Sequence, residues 1–463
     1  MPRPVYLTQE IRRIEQANSS LPLMERAGTA AAELAAMLLS DKGKDVLVLA
    51  GPGNNGGDAR IVARILGEKF FRVTLLTASD PIPSKTFSLI VDGLFGIGLS
   101  RPIEGGHAKL VEYANAQSCP VLALDIPSGL NSDTGQALGR TVRATHTITF
   151  IGLKPGLLTL DGPDHCGKIS VAGLSLENAG KGGGLVCEPS LFADVLKSRP
   201  RNFHKGMAGS MAVIGGAAGM AGAALLAGRA ALRLGAGRVY AGLLEELSID
   251  PGAPELMLRH PDDALGLDLD AIVIGPGLGQ GERAETLVGA VLASDIPCVL
   301  DADALNLIAG NEDLRKACAR RTAETLLTPH PAEAARLLAL KTADVQSDRL
   351  KAARNLAENL NAHVVLKGNG SIIAARDGHW FINTSGNPGM ASAGMGDVLA
   401  GILGALLAQK YTGETALVLG THLHGCAADE CVRAGAGPVG LTAGELIDPA
   451  RRIWNGWLEP SHR

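Results

Sequence analysis

Three groups of polar side chains stand directly behind short apolar runs in the first third of the chain: GPGNNGGD (51–58), DGLFGIGLSRP (92–102) and DIPSGLNSDTG (125–135). Gly53, Gly56 and Gly57 let backbone N–H groups approach an anion at the start of a following helix. Asn54, Asn55 and Asp58 add amides and a carboxylate at the same mouth. Ligands of open parallel sheets bind beyond the carboxyl ends of the strands, so Asp92, Asp125 and Ser128 are expected to project into one cleft. Several oxygen ligands beside an anion site suit a hard cation. Aspartates after strands also cap turns, but three such motifs on successive strand ends favour a shared site.

Gly51, Gly53 and Gly56 also satisfy G-x-G-x-x-G, the spacing of dinucleotide-binding loops. A hydride-transferring dehydrogenase is nevertheless not indicated. Pro52 and the Asn pair depart from the usual loop, Asp80 is one strand-end acid among several, and no hydride-transfer partner follows.

The second half carries NPGMASAGMGDVLAGILGAL (387–406), in which Gly394 and Gly396 precede an apolar helix with Asp397 in its first turn. Amides at a helix N-terminus stabilise charge developing on a transferring phosphoryl group. Asp397 is placed to take the proton of an attacking hydroxyl. GPGLG (275–279) and KGNGS (367–371) follow strands and offer backbone groups to a ligand. TPHPAEAARLL (328–338) sets His330 between two prolines, where a substrate contact and a structural role are equally compatible with its position. No G-x-x-x-x-G-K-S/T loop occurs, which excludes a P-loop phosphotransferase. His422, His424 and Cys426 in THLHGCAADEC (421–431) lack zinc-site spacing and read as part of a buried helix.

These residues need a large α/β scaffold. The chain has 463 residues, too many for one ordinary core, with 46% hydrophobic and 19% charged residues and 59 glycines. A net charge of −4 without a Lys/Arg block argues against a nucleic-acid surface. Seven cysteines without a C-x-x-C pair suit a reducing compartment. The opening MPRPVYLTQEIRRIEQ has no apolar core and is not a signal peptide. The uncharged window 206–228 is long enough to span a bilayer, but its glycines favour a buried strand, loop and helix. A cytoplasmic protein with no membrane partner is expected.

Strands are predicted at 45–50, 72–78, 88–93, 121–126 and 146–151, preceded by two helices. After a glycine-rich stretch without periodicity (177–190), the alternation restarts with strands at 210–216, 271–275, 298–302, 325–329 and 363–368. Two successive α/β domains are expected, bounded at 1–180 and 200–463 with a linker at 181–199.

GPGNNGGD, VDGLFGIGLSRPIEG and ALDIPSGLNSDTG, together with LMERAG (23–28), resemble the NAD(P)H-hydrate epimerase domain over residues 1 to 175. HKGMAGSMAVIGGAAGMAGAALLAGRAALRLGAG (204–237), GPGLG, LDADALN (300–306), TPHPAE, KGNGS and GMGD resemble the ribokinase-like NAD(P)H-hydrate dehydratase domain. The fold implied is α/β: an N-terminal Rossmann-like three-layer αβα sandwich and a C-terminal ribokinase-like domain.

The resemblance implies a bifunctional repair enzyme that epimerises R and S NADHX and NADPHX and dehydrates the S form at the expense of ADP. It implies that Asn54, Asn55, Gly56, Gly57 and Asp58 hold the damaged dinucleotide, with Gly96, Ile97, Gly98, Leu99, Ser100, Arg101 and Pro102. It implies potassium on Asn55, Asp92 and Ser128, and Asp125 assisting epimerisation at C6. In the second half it implies the hydrate on Ala223, Gly277, His330 and the catalytic Asp397. The adenine nucleotide, with Mg²⁺, would lie on Lys367, Gly368, Asn369, Gly370, Ser371 and Gly396. A homo-oligomer is expected. Ala59 stands where the epimerase family usually has a further glycine, and Ala221 and Asn369 are smaller departures.

Overall fold

The computed structural model describes residues 2–39, 43–176, 182–196 and 198–458. The chain divides into two compact units, Arg3–Leu185 and the residues from Val186 onward.

In the first unit six strands form one parallel sheet, in spatial order Arg72–Leu76, Asp45–Ala50, Leu89–Gly93, Val121–Leu124, His146–Phe150 and Lys168–Ala172. Alternate residues of Asp45–Ala50 face opposite sides, as strand geometry requires. Val46, Val48 and Ala50 pack with Ile11, Ala31, Ala35 and Val62 from helices Thr8–Ala17, Leu23–Leu39 and Asn54–Glu68. Leu47 and Leu49 pack on the other side with Leu110, Val111 and Ala114 of helix Gly105–Asn115. The result is a three-layer αβα sandwich. Its strand order reverses between Asp45–Ala50 and Leu89–Gly93, so the GPGNNGGD loop opens at the crevice where such sheets bind ligands.

Nine strands of the second unit run in the order Trp380–Asn383, Ser371–Ala374, His363–Leu366, Thr325–Leu327, Cys298–Leu300, Ala271–Ile274, Ser210–Gly215, Arg238–Leu243 and Met257–Arg259. All neighbours are parallel except the first two strands, which form an antiparallel hairpin on the rest. Helix Met395–Ala408 is buried along almost its whole length. It packs against helix Ala221–Arg233, where a Cβ on Gly401 would stand 2.1 Å from the carbonyl oxygen of Ala227.

Several strands lay beyond the periodicity of the sequence. Lys168–Ala172, Arg238–Leu243, Met257–Arg259 and the hairpin are short, edge-proximal or interrupted by glycine. The predicted linker is more ordered than its composition suggests. Residues 177–181 lie outside the described residues, but strand Gly184–Val186 and 3₁₀ turns Pro189–Leu191 and Ala193–Val195 follow. The uncharged window resolves into strand Ser210–Gly215 and the start of helix Ala221–Arg233. Among the described residues no helix is long and apolar enough to cross a membrane.

Candidate active sites

Helix Asn54–Glu68 starts at Gly53, directly behind strand Asp45–Ala50. A Cβ on Gly56 would lie 1.9 Å from the carbonyl oxygen of Gly51, so the turn closes this tightly only with glycine. The loop, residues Leu94–Arg101 and helix Thr8–Ala17 enclose a cavity of about 690 Å³. Asn54, Asn55, Asp58, Gly96, Ile97, Gly98, Leu99, Ser100, Arg101 and Asp125 line it, as do Arg12 and Glu15. Gly57 packs behind Met24, itself a lining residue, and Pro102 ends the loop outside the lining.

Asp92 and Ser128 lie beneath this wall, both fully buried. The Ser128 hydroxyl donates to Asp92 Oδ1 at 2.6 Å and its N–H to Oδ2 at 2.8 Å. The Phe95 N–H donates to Ser128 Oγ at 2.9 Å, and Gly96 rests against the Asn55 side chain. Asn55 keeps both Oδ1 and Nδ2 buried without a hydrogen-bond partner. Burial pushes the Asp92 carboxyl up, against donors from Ser128 and Leu94.

Asp125 adopts a left-handed backbone (φ 64°) at the end of its strand. Its Oδ1 accepts from the Phe150 N–H at 3.2 Å and forms an ion pair with Lys154. The Lys154 ammonium is fully enclosed and also donates to Thr149 Oγ1 and the Phe150 carbonyl, each at 2.8 Å. Burial, then the charges of Asp125 and Glu15, push Asp58 up to about 8. Burial and Asp125 raise Glu15 as well.

In the second unit the sequence motifs gather beyond the carboxyl ends of the parallel strands. Asp301, 1% exposed, follows Cys298–Leu300. It accepts from Thr328 Oγ1 at 2.6 Å and pairs with Lys367 Nζ at 3.1 Å. Gly396 covers that pair: a Cβ there would stand 3.1 Å from Lys367 Nζ and 3.6 Å from Asp301 Oδ2. Gly394 (φ 87°) caps helix Met395–Ala408 and brings Asp397 into its first turn. Burial and the charge of Asp301 push the Asp397 carboxyl up to about 6, with Lys367 opposing.

His330 caps helix Pro331–Leu338, its Nδ1 accepting from the Ala332 N–H at 3.1 Å while its backbone N–H donates to Glu333 Oε2 at 2.8 Å. Burial and the nearby Lys367 hold the imidazole below its usual pKa, which favours the neutral ring. Glu333 is pushed up to about 7 by burial. Gly277 (φ 59°) and Ala223 meet at a separate wall, a Gly277 Cβ lying 3.3 Å from that of Ala223. KGNGS forms a turn closed by Ser371, whose hydroxyl donates to the Gly368 carbonyl at 3.0 Å.

A family model described as NAD(P)H-hydrate dehydratase matches residues 211–449, and one described as YjeF-related protein N-terminus matches 20–86 and 78–156. The bifunctional NAD(P)H-hydrate repair enzyme of Escherichia coli (strain K12) is 38% identical, over 98% of this chain and 95% of that protein. The chain belongs to the bifunctional NAD(P)H-hydrate repair enzymes. A relative of the same name from Leishmania braziliensis is 36% identical over 92% of this chain and 88% of its own length. Among solved structures, an ADP/ATP-dependent NAD(P)H-hydrate dehydratase from Bacillus subtilis, co-crystallised with ATP/Mg²⁺, matches with a TM-score of 0.52. It is 30% identical, covering 59% of this chain and 98% of that one. A ribokinase-like superfamily protein from Enterococcus faecalis V583 matches with a TM-score of 0.52 and 26% identity, covering 61% of this chain and 99% of its own. The N-terminal Rossmann-like sandwich and the ribokinase-like second unit thus stand as the fold of this repair enzyme.

Within the repair enzyme, sequence reasoning passed over Glu15, Arg12, Lys154 and the role of Asp301. Lys154 had a signal: a lone lysine inside the apolar run FIGLKPGLL requires a buried partner. Asp301 sits in the quoted LDADALN motif, but only the arrival of Lys367 from a strand two places away gives it a charge partner. The departure at Ala59 also finds its place. Its buried methyl packs against Gly93, next to Asp92, where a Cβ would come within 2.4 Å of it.

Proposed function

We propose that this chain repairs hydrated nicotinamide dinucleotides in two steps, epimerising R and S NADHX or NADPHX in the first unit and dehydrating the S form in the second. The observation that carries the reading is Asp397, a half-buried carboxylate at the mouth of a helix N-terminus, beside the Lys367–Asp301 pair. Hydroxide is a poor leaving group, so the C6 hydroxyl must first become a better one. Asp397 takes the hydroxyl proton, and the oxygen attacks the terminal phosphorus of ADP, releasing AMP. The amides of the GMGD turn and the Lys367 ammonium offset charge on the moving phosphoryl group. The ring nitrogen's electron pair then expels phosphate, and loss of a C5 proton restores the dihydronicotinamide. The hydrate lies on Ala223, Gly277 and His330, and the nucleotide on Lys367–Ser371 and Gly396. Mg²⁺ enters with the nucleotide phosphates.

In the first unit the dinucleotide occupies the cavity between the GPGNNGGD loop and residues 96–102, with Asp125 at the hydrated ring. Potassium suits the oxygens beneath: Asn55 has an orphaned buried Oδ1, and Asp92 is a buried carboxylate with no cation partner among the described residues. Asn55, Asp92 and Ser128 would hold the ion. When bound, it supplies positive charge that keeps Asp92 ionised and the 94–96 segment in place. We further propose domains at 1–180 and 200–463, a cytoplasmic location and assembly into a homo-oligomer without membrane or nucleic-acid partners.

The test is a mixture of NADHX epimers supplied with ADP or ATP, following recovery of reduced-nicotinamide absorbance and release of free phosphate. Full recovery of both epimers is expected. Recovery of one epimer alone would remove the epimerase half, and a stable phosphorylated product would point instead to a hydroxyl kinase of the same fold.

A further inference from the structure

The charges lining the first-unit cavity are segregated. Glu15, Asp58 and Asp125 surround its inner part against one enclosed cation, Lys154. Arg12 and Arg101 line the same cavity but are exposed, and neither enters a salt bridge among the described residues. Arg12 reaches across from helix Thr8–Ala17 to the opposite loop, its Nη2 lying 3.6 Å from where a Cβ on Gly98 would stand. Gly98 therefore presents bare backbone beneath a guanidinium, and Arg101 closes the far end of the same loop. Glu15 follows Arg12 by three residues, so one helix face sets a cation at the rim and a carboxylate inside.

A dinucleotide has an uncharged hydrated ring at one end and an anionic pyrophosphate in the middle. With Asp58 held largely protonated at neutral pH, the inner end offers the pyrophosphate no unpaired cation, since its one ammonium is already paired with Asp125, and it accepts the uncharged ring. A guanidinium fork beside exposed loop amides is suited to phosphate oxygens. We propose that Arg12 is a phosphate-binding residue of the epimerase cavity, gripping the pyrophosphate with Arg101 and so fixing which end of the dinucleotide enters. The inference rests on the epimerase reading above and names a residue that none of its motifs contains.

The experiment compares wild type, Arg12→Ala and Arg12→Lys in the full-length protein. Arg12→Ala should raise KM for NADHX epimerisation by about 10-fold or more while kcat stays within about two-fold, the signature of lost uniform binding. Arg12→Lys should recover part of the loss, because it keeps the charge without the fork. The hydrated nicotinamide riboside, which has no phosphate, should be epimerised equally by wild type and Arg12→Ala. Unchanged KM, or a fall in kcat alone, would overturn the proposal. Binding of NADP⁺ by calorimetry is read in parallel: about tenfold weaker in Arg12→Ala if the grip exists, equal if it does not. That readout holds even if the wild type failed to interconvert epimers, a result that would sink the epimerase reading itself.

Discussion

Replacing Asp397 with alanine is expected to cut dehydration of the hydrate by about 10²–10⁴-fold, the usual loss for a general base, while epimerisation continues at the wild-type rate. Nucleotide-dependent recovery of reduced nicotinamide at the wild-type rate would remove Asp397 from the reaction. The pH profile gives a second readout. The Asp397 carboxyl is held at about 6 by burial and by Asp301. A base works only when ionised, so dehydration should rise with pH, reach half its plateau near 6, and fall about tenfold per unit below that. A raised carboxyl binds protons more tightly in the folded than in the unfolded chain. Its ionisation therefore costs stability as pH climbs from about 4 to 6, and that cost persists above 6. Asp397→Asn should thus stabilise the fold at pH 7, by on the order of 3 kcal/mol at most, and so raise the melting temperature while losing activity. An inactive variant that is also less stable would indicate a structural role instead.

Asp125→Asn is expected to do the reverse, lowering epimerisation by about 10²–10⁴-fold and leaving dehydration of the S form intact. The asparagine is the more telling variant. Asp125 sits at φ 64°, a backbone that Asn tolerates better than Ala. Either variant leaves the enclosed Lys154 ammonium without its counter-ion, a loss of about 3–5 kcal/mol when one partner of a buried pair is removed, but asparagine keeps an oxygen that can accept its proton. Epimer interconversion, followed by separating the two forms in the absence of nucleotide, checks the result. An unchanged rate in Asp125→Asn takes Asp125 out of the chemistry.

What could be read from the sequence was local. GPGNNGGD lies at a turn from strand into helix, GMGD opens an apolar helix, and Asp92 and Asp125 stand at the carboxyl ends of their strands, each as its local pattern announces. Partnerships across the fold were not legible. Lys154 lies 29 residues from Asp125, and nothing between them specifies that their side chains meet. Glu15 and Arg12 belong to a helix ahead of the sheet, and its closure over the cavity is a property of packing rather than of pattern. His330 shows the converse: its position between two prolines was clear, but only the structure assigns its Nδ1 to the helix cap. Short strands such as Met257–Arg259 are too brief for periodicity to register.

The enclosure of Lys154 has a consequence for behaviour in electrolyte. Counter-ions screen charges they can surround, over roughly 8–10 Å at ordinary ionic strength, and they screen a pair with an enclosed partner much less. Added salt at a fixed potassium concentration should therefore weaken the Asp125–Lys154 attraction far less than it weakens the exposed cations at the mouth. The turnover of a captured hydrate and its capture then respond differently to the same ions, because one depends on a charge shut away from the solvent and the other on charges that stand in it.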